Sequence, residues 1–216
     1  MDYKTTIKVI GFDLDQTLYP KSPEIDEAIQ AYIYPFVAKH KNVSLEEAKR
    51  LFKESYHVHG LGGTATLKAF GIPDASNIIQ EALEKAEIAH FLKPNPELLT
   101  LLHELKAKYG TIDIVTGSDR ANAEKKLQKI NIPLEIFNNV ITANNGTKSN
   151  GDAYRIWLER YPEFSPNQFL YIGDRAKSDH LVPKELGIAS ILVYTVDPTA
   201  ECPQLKNPLE LRPLLL

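Results

Sequence analysis

The chain has 216 residues, 43% of them hydrophobic and 25% charged, which excludes a disordered polypeptide and supplies apolar material for a sizeable core. With 25 Lys and Arg against 28 Asp and Glu, the formal net charge of -3 offers no basic field for a nucleic acid polymer or an anionic membrane, and no uncharged apolar stretch reaches the roughly 18–20 residues of a membrane span. Cys202 is the one cysteine, so an internal disulfide and a multi-cysteine zinc site are excluded, and with no apolar leader in MDYKTTIKVIGFD the expectation is a cytoplasmic protein.

In chain order, Ile7–Asp15 (IKVIGFDLD) is the first predicted strand. Residues 20–108 then hold no convincing strand but several helix signals. Ser22-Pro23 pairs a capping serine with a proline suited to the first helical position, and Ser44-Leu45-Glu46-Glu47 matches a capping box. Asn95-Pro96 opens an apolar-periodic run through Leu98, Leu99, Leu101, Leu102 and Leu105. That last helix returns the chain to the sheet. The remainder suffices for a small helical bundle inserted after strand 1, with hinges near Tyr19-Pro20 and Lys93-Pro94.

Four further strands follow, Thr111–Gly117, Asn139–Ala143, Gln168–Asp174 and Ser190–Val196, separated by helical segments near 119–130, 150–161 and 178–187. Several of these strands are nearly continuous apolar runs, as strands buried on both faces tend to be. Strands alternating with helices imply βαβ units and a parallel sheet covered on both sides. The fold class is α/β: a parallel-sheet core of about five strands from residues 1–19 and 91–216, with an α-helical domain, 20–90, inserted. The tail from Asp197 carries four prolines and ends Pro213-Leu214-Leu215-Leu216; it is expected to dock on the core.

Ligands of parallel α/β sheets bind outside the carboxyl ends of the strands, and several polar groups fall there. Strand 1 ends in Asp13-Leu14-Asp15-Gln16-Thr17, where alternation puts Asp13 and Asp15 on the same side. Carboxylates that close repel, and an ion or a shared proton is the usual remedy. Strand 2 ends in Thr116-Gly117-Ser118, a hydroxyl and a turn of small residues whose amides at a helix start suit an anion. Lys148 follows strand 3, and strand 4 ends in Gly173-Asp174 with Asp179 shortly after. Taken singly these are a solvated turn, an N-cap, a surface lysine and a loop start. Together, at one edge of one sheet, they make a divalent-metal and phosphate site, and oxygen ligands without histidine or cysteine favour Mg²⁺.

These residues resemble the haloacid dehalogenase superfamily of phosphotransferases. An apolar strand ending Asp-x-Asp-x-Thr is met by Val9–Leu18, a strand ending in Thr by Ile112–Thr116, a helix-leading lysine by Lys148, and Gly-Asp-x₄-Asp by Gly173–Asp179. The resemblance spans about residues 7–195 and implies a Rossmann-like core. Family members often have Lys-Pro where this chain has Lys148-Ser149. By position, the resemblance makes Asp13 the nucleophile, forming an aspartyl phosphate, and Asp15 the proton donor and acceptor. Mg²⁺ would be held by Asp13, the backbone carbonyl of Asp15 and Asp174. Thr116, the amides of Gly117 and Ser118, and Lys148 would stabilise the transferring phosphoryl group. Asp179 would orient Lys148 or a metal-bound water.

A helical insert at this point resembles the family's C1 cap, a lid that restricts substrates to small molecules. The implied function is a Mg²⁺-dependent phosphatase, a monomer or homodimer acting on a small phosphorylated metabolite. The stretch Asp13–Pro20 resembles the pyrimidine 5′-nucleotidase branch, which points to a nucleoside monophosphate and makes Tyr56 and His59 candidate cap contacts. His59 stands where that branch tends to have a tyrosine, the usual arginine soon after is absent from Gly62–Thr66, and packing is the plainer role for Tyr56. The alternatives are a phosphomutase or a phosphoglycolate or sugar-phosphate phosphatase. A 2-haloacid dehalogenase stands lower, because those enzymes typically lack the second aspartate, and so does a catalytically idle binding module.

Overall fold

The computed structural model describes residues 2–58 and 63–216, which form two units: one runs through Lys21 and resumes at Leu92–Leu216, the other is Ser22–Phe91. The first unit opens with α1 (Tyr3–Thr6) and β1 (Val9–Phe12). The second holds α2 (Pro23–Lys41), α3 (Leu45–Lys53), a π-helical turn over Glu54–Val58, α4 (Gly63–Ala69) and α5 (Ala75–Lys85). The chain then re-enters the first unit through α6 (Pro96–Tyr109), β2 (Ile112–Val115), α7 (Arg120–Lys129), β3 (Val140–Ile141) and α8 (Asp152–Glu159). It finishes with β4 (Phe169–Gly173), a π-helical turn over Ala176–Leu181, α9 (Val182–Glu185), β5 (Ala189–Val193), β6 (Gln204–Leu205) and α10 (Arg212–Leu215). Among the described residues no helix is long and apolar enough to cross a membrane.

The six strands form one parallel sheet in the order β3-β2-β1-β4-β5-β6. Every residue of β1, β2 and β4 is buried, as their unbroken apolar runs predict for strands covered on both faces. The strands are shorter than those runs for local reasons. Tyr194 takes a left-handed conformation, φ 57°, which ends β5 before Val196. Thr142 turns the chain after β3 by giving its amide to Asn145 Oδ1 at 3.0 Å. The two-residue β6 lies in the proline-rich tail and has no apolar run to announce it. The helix expected over 178–187 divides into the π turn and α9, with Pro183 in the first turn of the latter, where its missing N–H costs nothing.

In the second unit, Ser22 accepts from the amide of Ile25 at 3.2 Å and Ser44 from that of Glu47 at 3.2 Å. The capping box at Ser44 is half formed, because the Glu47 carboxylate grips Arg50 instead, at 2.8 and 2.9 Å. Ile33, Tyr34, Val37, Ala48, Phe52 and Leu67 centre this unit's own core. In the first unit the tail docks as expected: Leu211 and Leu215 are buried, and the Leu215 carbonyl accepts from Lys108 Nζ at 2.6 Å and Tyr109 OH at 2.9 Å.

A buried carboxylate ties α8 to the sheet. Asp113, within β2, accepts from Trp157 Nε1 at 2.8 Å, Tyr161 OH at 3.0 Å and the Asn139 amide at 2.7 Å, and these bonds offset the cost of burying it. Trp157 lies so close to β1 that a Cβ on Gly11 would come within 2.6 Å of its ring. Only glycine fits there. Gly11→Ala is expected to cost about 1–3 kcal/mol by forcing the indole away and straining its bond to Asp113; thermal denaturation of the purified variant reads this as a lower Tm.

Candidate active site

Because β1 is flanked by β2 on one side and β4 on the other, the chain crosses over in opposite directions from it, and a crevice opens beyond its carboxyl end. Asp13 directly follows β1, held by its amide to the Ile172 carbonyl of β4 at 2.8 Å. Asp174 follows β4, Thr116 follows β2, and Lys148 sits in the turn between β3 and α8. Asp13, Thr116, Lys148, Asp174 and Asp179 are all buried.

Lys148 Nζ lies 3.1 Å from Asp13 Oδ1 and 2.7 Å from Asp179 Oδ1, and 5.1 Å above the Tyr171 ring, a cation–π distance. The other Asp179 oxygen accepts from the amides of Asp174 and Arg175 at 3.1 and 3.0 Å. Asp179 therefore braces the lysine and the loop after β4 together. It reaches this position only because Gly173 precedes Asp174: a Cβ there would stand 2.5 Å from the Asp179 Cβ.

Asp13, Asp174 and Asp179 each offer an oxygen within 4.8 Å of the others. Burial, only partly offset by Lys148 and reinforced by the neighbouring carboxylates, raises Asp13 to about 7. Burial likewise raises Asp174 to about 6, against the pull of Arg175. Asp179 is held below its ordinary value, because the Lys148 ammonium and the hydrogen bonds outweigh its burial. Among the described residues, Asp13 Oδ1 and both Asp174 oxygens accept no hydrogen bond; they face only ion-pair contacts, Asp174 with Lys21 at 3.3 Å and Arg175 at 3.9 Å. Buried carboxylate oxygens without donors, in an all-oxygen set, fit a hard divalent cation such as Mg²⁺.

Asp15 has separate partners. Its Oδ1 accepts from Lys126 Nζ at 2.6 Å and from Tyr19 OH, and its Oδ2 from Ser118 Oγ at 2.7 Å. Burial alone would raise this carboxyl, but Lys126 and the three hydrogen bonds hold it below the ordinary carboxylate range. β1 ends at Phe12 and Gln16 turns left-handed, φ 57°, so Asp15 lies in a turn beyond the strand. Lys126, Tyr19 and Lys21 were not among the residues singled out by sequence. The one available signal was Lys126 on the apolar face of α7 beside Ala123 and Leu127, all three of which are buried.

The turn Thr116–Ser118 has its own internal bond. The Ser118 amide donates to Thr116 Oγ1 at 3.2 Å, and α7 begins only at Arg120. There Asp119 caps the Asn122 amide at 2.9 Å and Asn144 takes the Arg120 amide at 2.9 Å. The Arg120 and Asn122 amides are thus already satisfied, and Ser118 reaches Asp15 through its hydroxyl. In the helical unit, Tyr56 stacks on Phe52, ring centroids 5.7 Å apart, a packing contact. His59 lies outside the described residues.

A family profile described as haloacid dehalogenase-like hydrolase matches residues 7–187. The glyceraldehyde 3-phosphate phosphatase of Methanocaldococcus jannaschii is 26% identical over 195 residues, covering 87% of this chain and 85% of that protein. The protein of the same name from Methanopyrus kandleri is 24% identical over 196 residues, covering 87% and 84%. Among solved structures, a haloacid dehalogenase-like family hydrolase from Streptococcus pneumoniae matches with a TM-score of 0.67 at 22% identity, over 97% of this chain and 98% of that one, a likeness of fold.

The raised carboxyls give the metal-free protein a characteristic pH response. Asp13 and Asp174 keep protons at pH values where the unfolded chain has lost them, so the folded state binds more protons and its stability falls as pH rises through about 6 and 7. Melting in a chelator is expected to show a Tm lower by several degrees at about pH 8 than at about pH 5, since 1 kcal/mol moves Tm by about 2–4 °C in a chain of this size. Millimolar Mg²⁺ should flatten that slope.

Proposed function

We propose that this chain, which belongs to the haloacid dehalogenase-like hydrolase family, is a phosphatase that cleaves small phosphorylated metabolites through a phosphoryl group carried on Asp13. One observation bears most of this proposal: Asp13 is buried at the switch point of the sheet, with an oxygen that accepts no hydrogen bond and a lysine ammonium 3.1 Å away. That is a buried carboxylate whose near neighbour is a cation able to receive an anionic substrate.

In this proposal an Asp13 oxygen attacks phosphorus and the ester P–O bond breaks. Asp15 in its protonated form, which the substrate-free site disfavours, gives a proton to the departing oxygen, then takes one back from the water that attacks the aspartyl phosphate and frees Asp13. Lys148 neutralises phosphoryl oxygens while Asp179 holds it in place. Thr116 and the Gly117 and Ser118 amides cradle the same oxygens, the substrate competing with Thr116 Oγ1 for the Ser118 amide. Asp13, the Asp15 carbonyl and Asp174 would hold Mg²⁺, which supplies positive charge between nucleophile and phosphate when bound.

For the substrate, the names of the archaeal relatives favour a short sugar phosphate, and the stretch Asp13–Pro20 favours a nucleoside monophosphate. The helical unit, inserted between the loop of Asp13 and the helix that leads to β2, is proposed as the cap that selects among such cytoplasmic metabolites. Phosphate release from triose phosphates, other sugar phosphates and nucleoside monophosphates, assayed side by side, decides between the two classes.

Asp13→Asn keeps the shape of the side chain and removes the nucleophile. It is expected to abolish phosphate release by several orders of magnitude at an unchanged or raised Tm, and full activity would remove Asp13 from this role. Asp174→Asn is expected to raise the Mg²⁺ concentration for half-maximal rate, because a neutral amide replaces a charged ligand; a magnesium titration of the rate measures it.

A further inference from the structure

Lys126 is only 4% exposed, and a buried ammonium is costly unless it is partnered. It lies on the inward face of α7, and its Nζ donates to Asp15 Oδ1 at 2.6 Å and Ser118 Oγ at 2.9 Å. Ser118 Oγ in turn donates to Asp15 Oδ2 at 2.7 Å, closing a ring of three hydrogen bonds around the carboxylate. Tyr19 OH adds a fourth bond, to Oδ1. The holders come from three places in the chain: α7, the turn after β2, and the loop of Asp15 itself. Of the two carboxylate oxygens, Oδ1 is doubly engaged, and Oδ2, with one donor, keeps a lone pair for a transferred proton.

We propose that Lys126 is the positioning residue that fixes the Asp15 carboxylate for proton transfer, with Ser118 as its relay to the second oxygen. This rests on the phosphatase reading, and it adds a residue beyond the nucleophile, the acid–base aspartate and the phosphate-binding lysine. A side chain on a loop after the strand end has rotamers to choose from. The buried ammonium leaves it one, with Oδ2 as the working oxygen. Lys126 touches neither phosphorus nor leaving group; it acts on Asp15.

A purely packing role and a positioning role predict different kinetics. Lys126→Met preserves the length of the side chain and removes the ammonium. With a sugar phosphate, whose departing oxygen needs a proton, kcat/KM is expected to fall at least about tenfold. With p-nitrophenyl phosphate, whose leaving group needs little protonation, kcat/KM should fall no more than about threefold, because hydrolysis of the aspartyl phosphate, common to both esters and also dependent on Asp15, enters kcat but not kcat/KM. In an Asp15→Ala background the same substitution should cost nothing further, because the group it positions is gone. Ser118→Ala should show the same leaving-group pattern at smaller size, and it serves as the reporter if Lys126→Met fails to fold. Equal losses on the two esters, or an undiminished loss in the Asp15→Ala background, would overturn the proposal while leaving the phosphatase reading intact. Wild-type protein that releases phosphate from neither ester with Mg²⁺ would overturn both.

Discussion

Three carboxylates, Asp13, Asp174 and Asp179, share a buried volume with the buried ammonium of Lys148. At the low effective dielectric of such a place, charges that stay unmatched are expensive. The imbalance is distributed unevenly. Asp179 takes the shortest contact with Lys148 and two backbone amides, so it is the carboxylate most at ease with its charge. Asp13 and Asp174 are left with oxygens that face only longer ion-pair contacts. The two groups least reconciled to ionisation are those from which a cation and a phosphoryl group would draw most.

The rest of the core unit reads as a means of keeping that cluster from relaxing. A parallel sheet delivers strand ends to one edge, and the order with β1 between β2 and β4 brings Asp13 beside the loop of Asp174. Aromatic residues stiffen the floor. Tyr171 lies under Lys148 and donates to the Val115 carbonyl at 2.5 Å, and Tyr154 donates to the Ser178 carbonyl at 2.7 Å, next to Asp179. Asp113, through Trp157 and Tyr161, fixes the helix that follows the lysine's turn. Pre-organisation of this kind spares a site the cost of rearranging as charge moves.

Much of this was legible before any coordinates, because the information is local. Apolar runs of strand length, alternating with helical patterns, dictate a parallel sheet, and strand ends carry their polar residues in the same few positions. Part of what escaped depends on contacts far apart in sequence. Lys126 meets Asp15 across 111 positions, and periodicity alone marks it as an odd lysine on an apolar face. The fate of the Ser118 amide turns on a side chain two residues back, and the end of β5 on a single left-handed tyrosine. Neither leaves a trace in composition. The capping box at Ser44 was legible as a pattern, yet an arginine at the next turn outbid one half of it.

The strand order also shapes how the chain can reach this state. β1 is the central strand, but its neighbours β2 and β4 begin at Ile112 and Phe169, so on a ribosome it is exposed before either neighbour exists. At about 5–20 residues per second, synthesis leaves it without a partner for several seconds. The intervening residues 22–91 form a helical unit, and helical bundles are the class of fold that organises fastest. If it folds first, it replaces a long flexible loop with a compact insertion and lowers the entropic cost of closing β1 onto β2. A destabilised helical unit would then slow assembly of a sheet to which it contributes no strand, lengthening the time the Val9–Phe12 segment is open to aggregation.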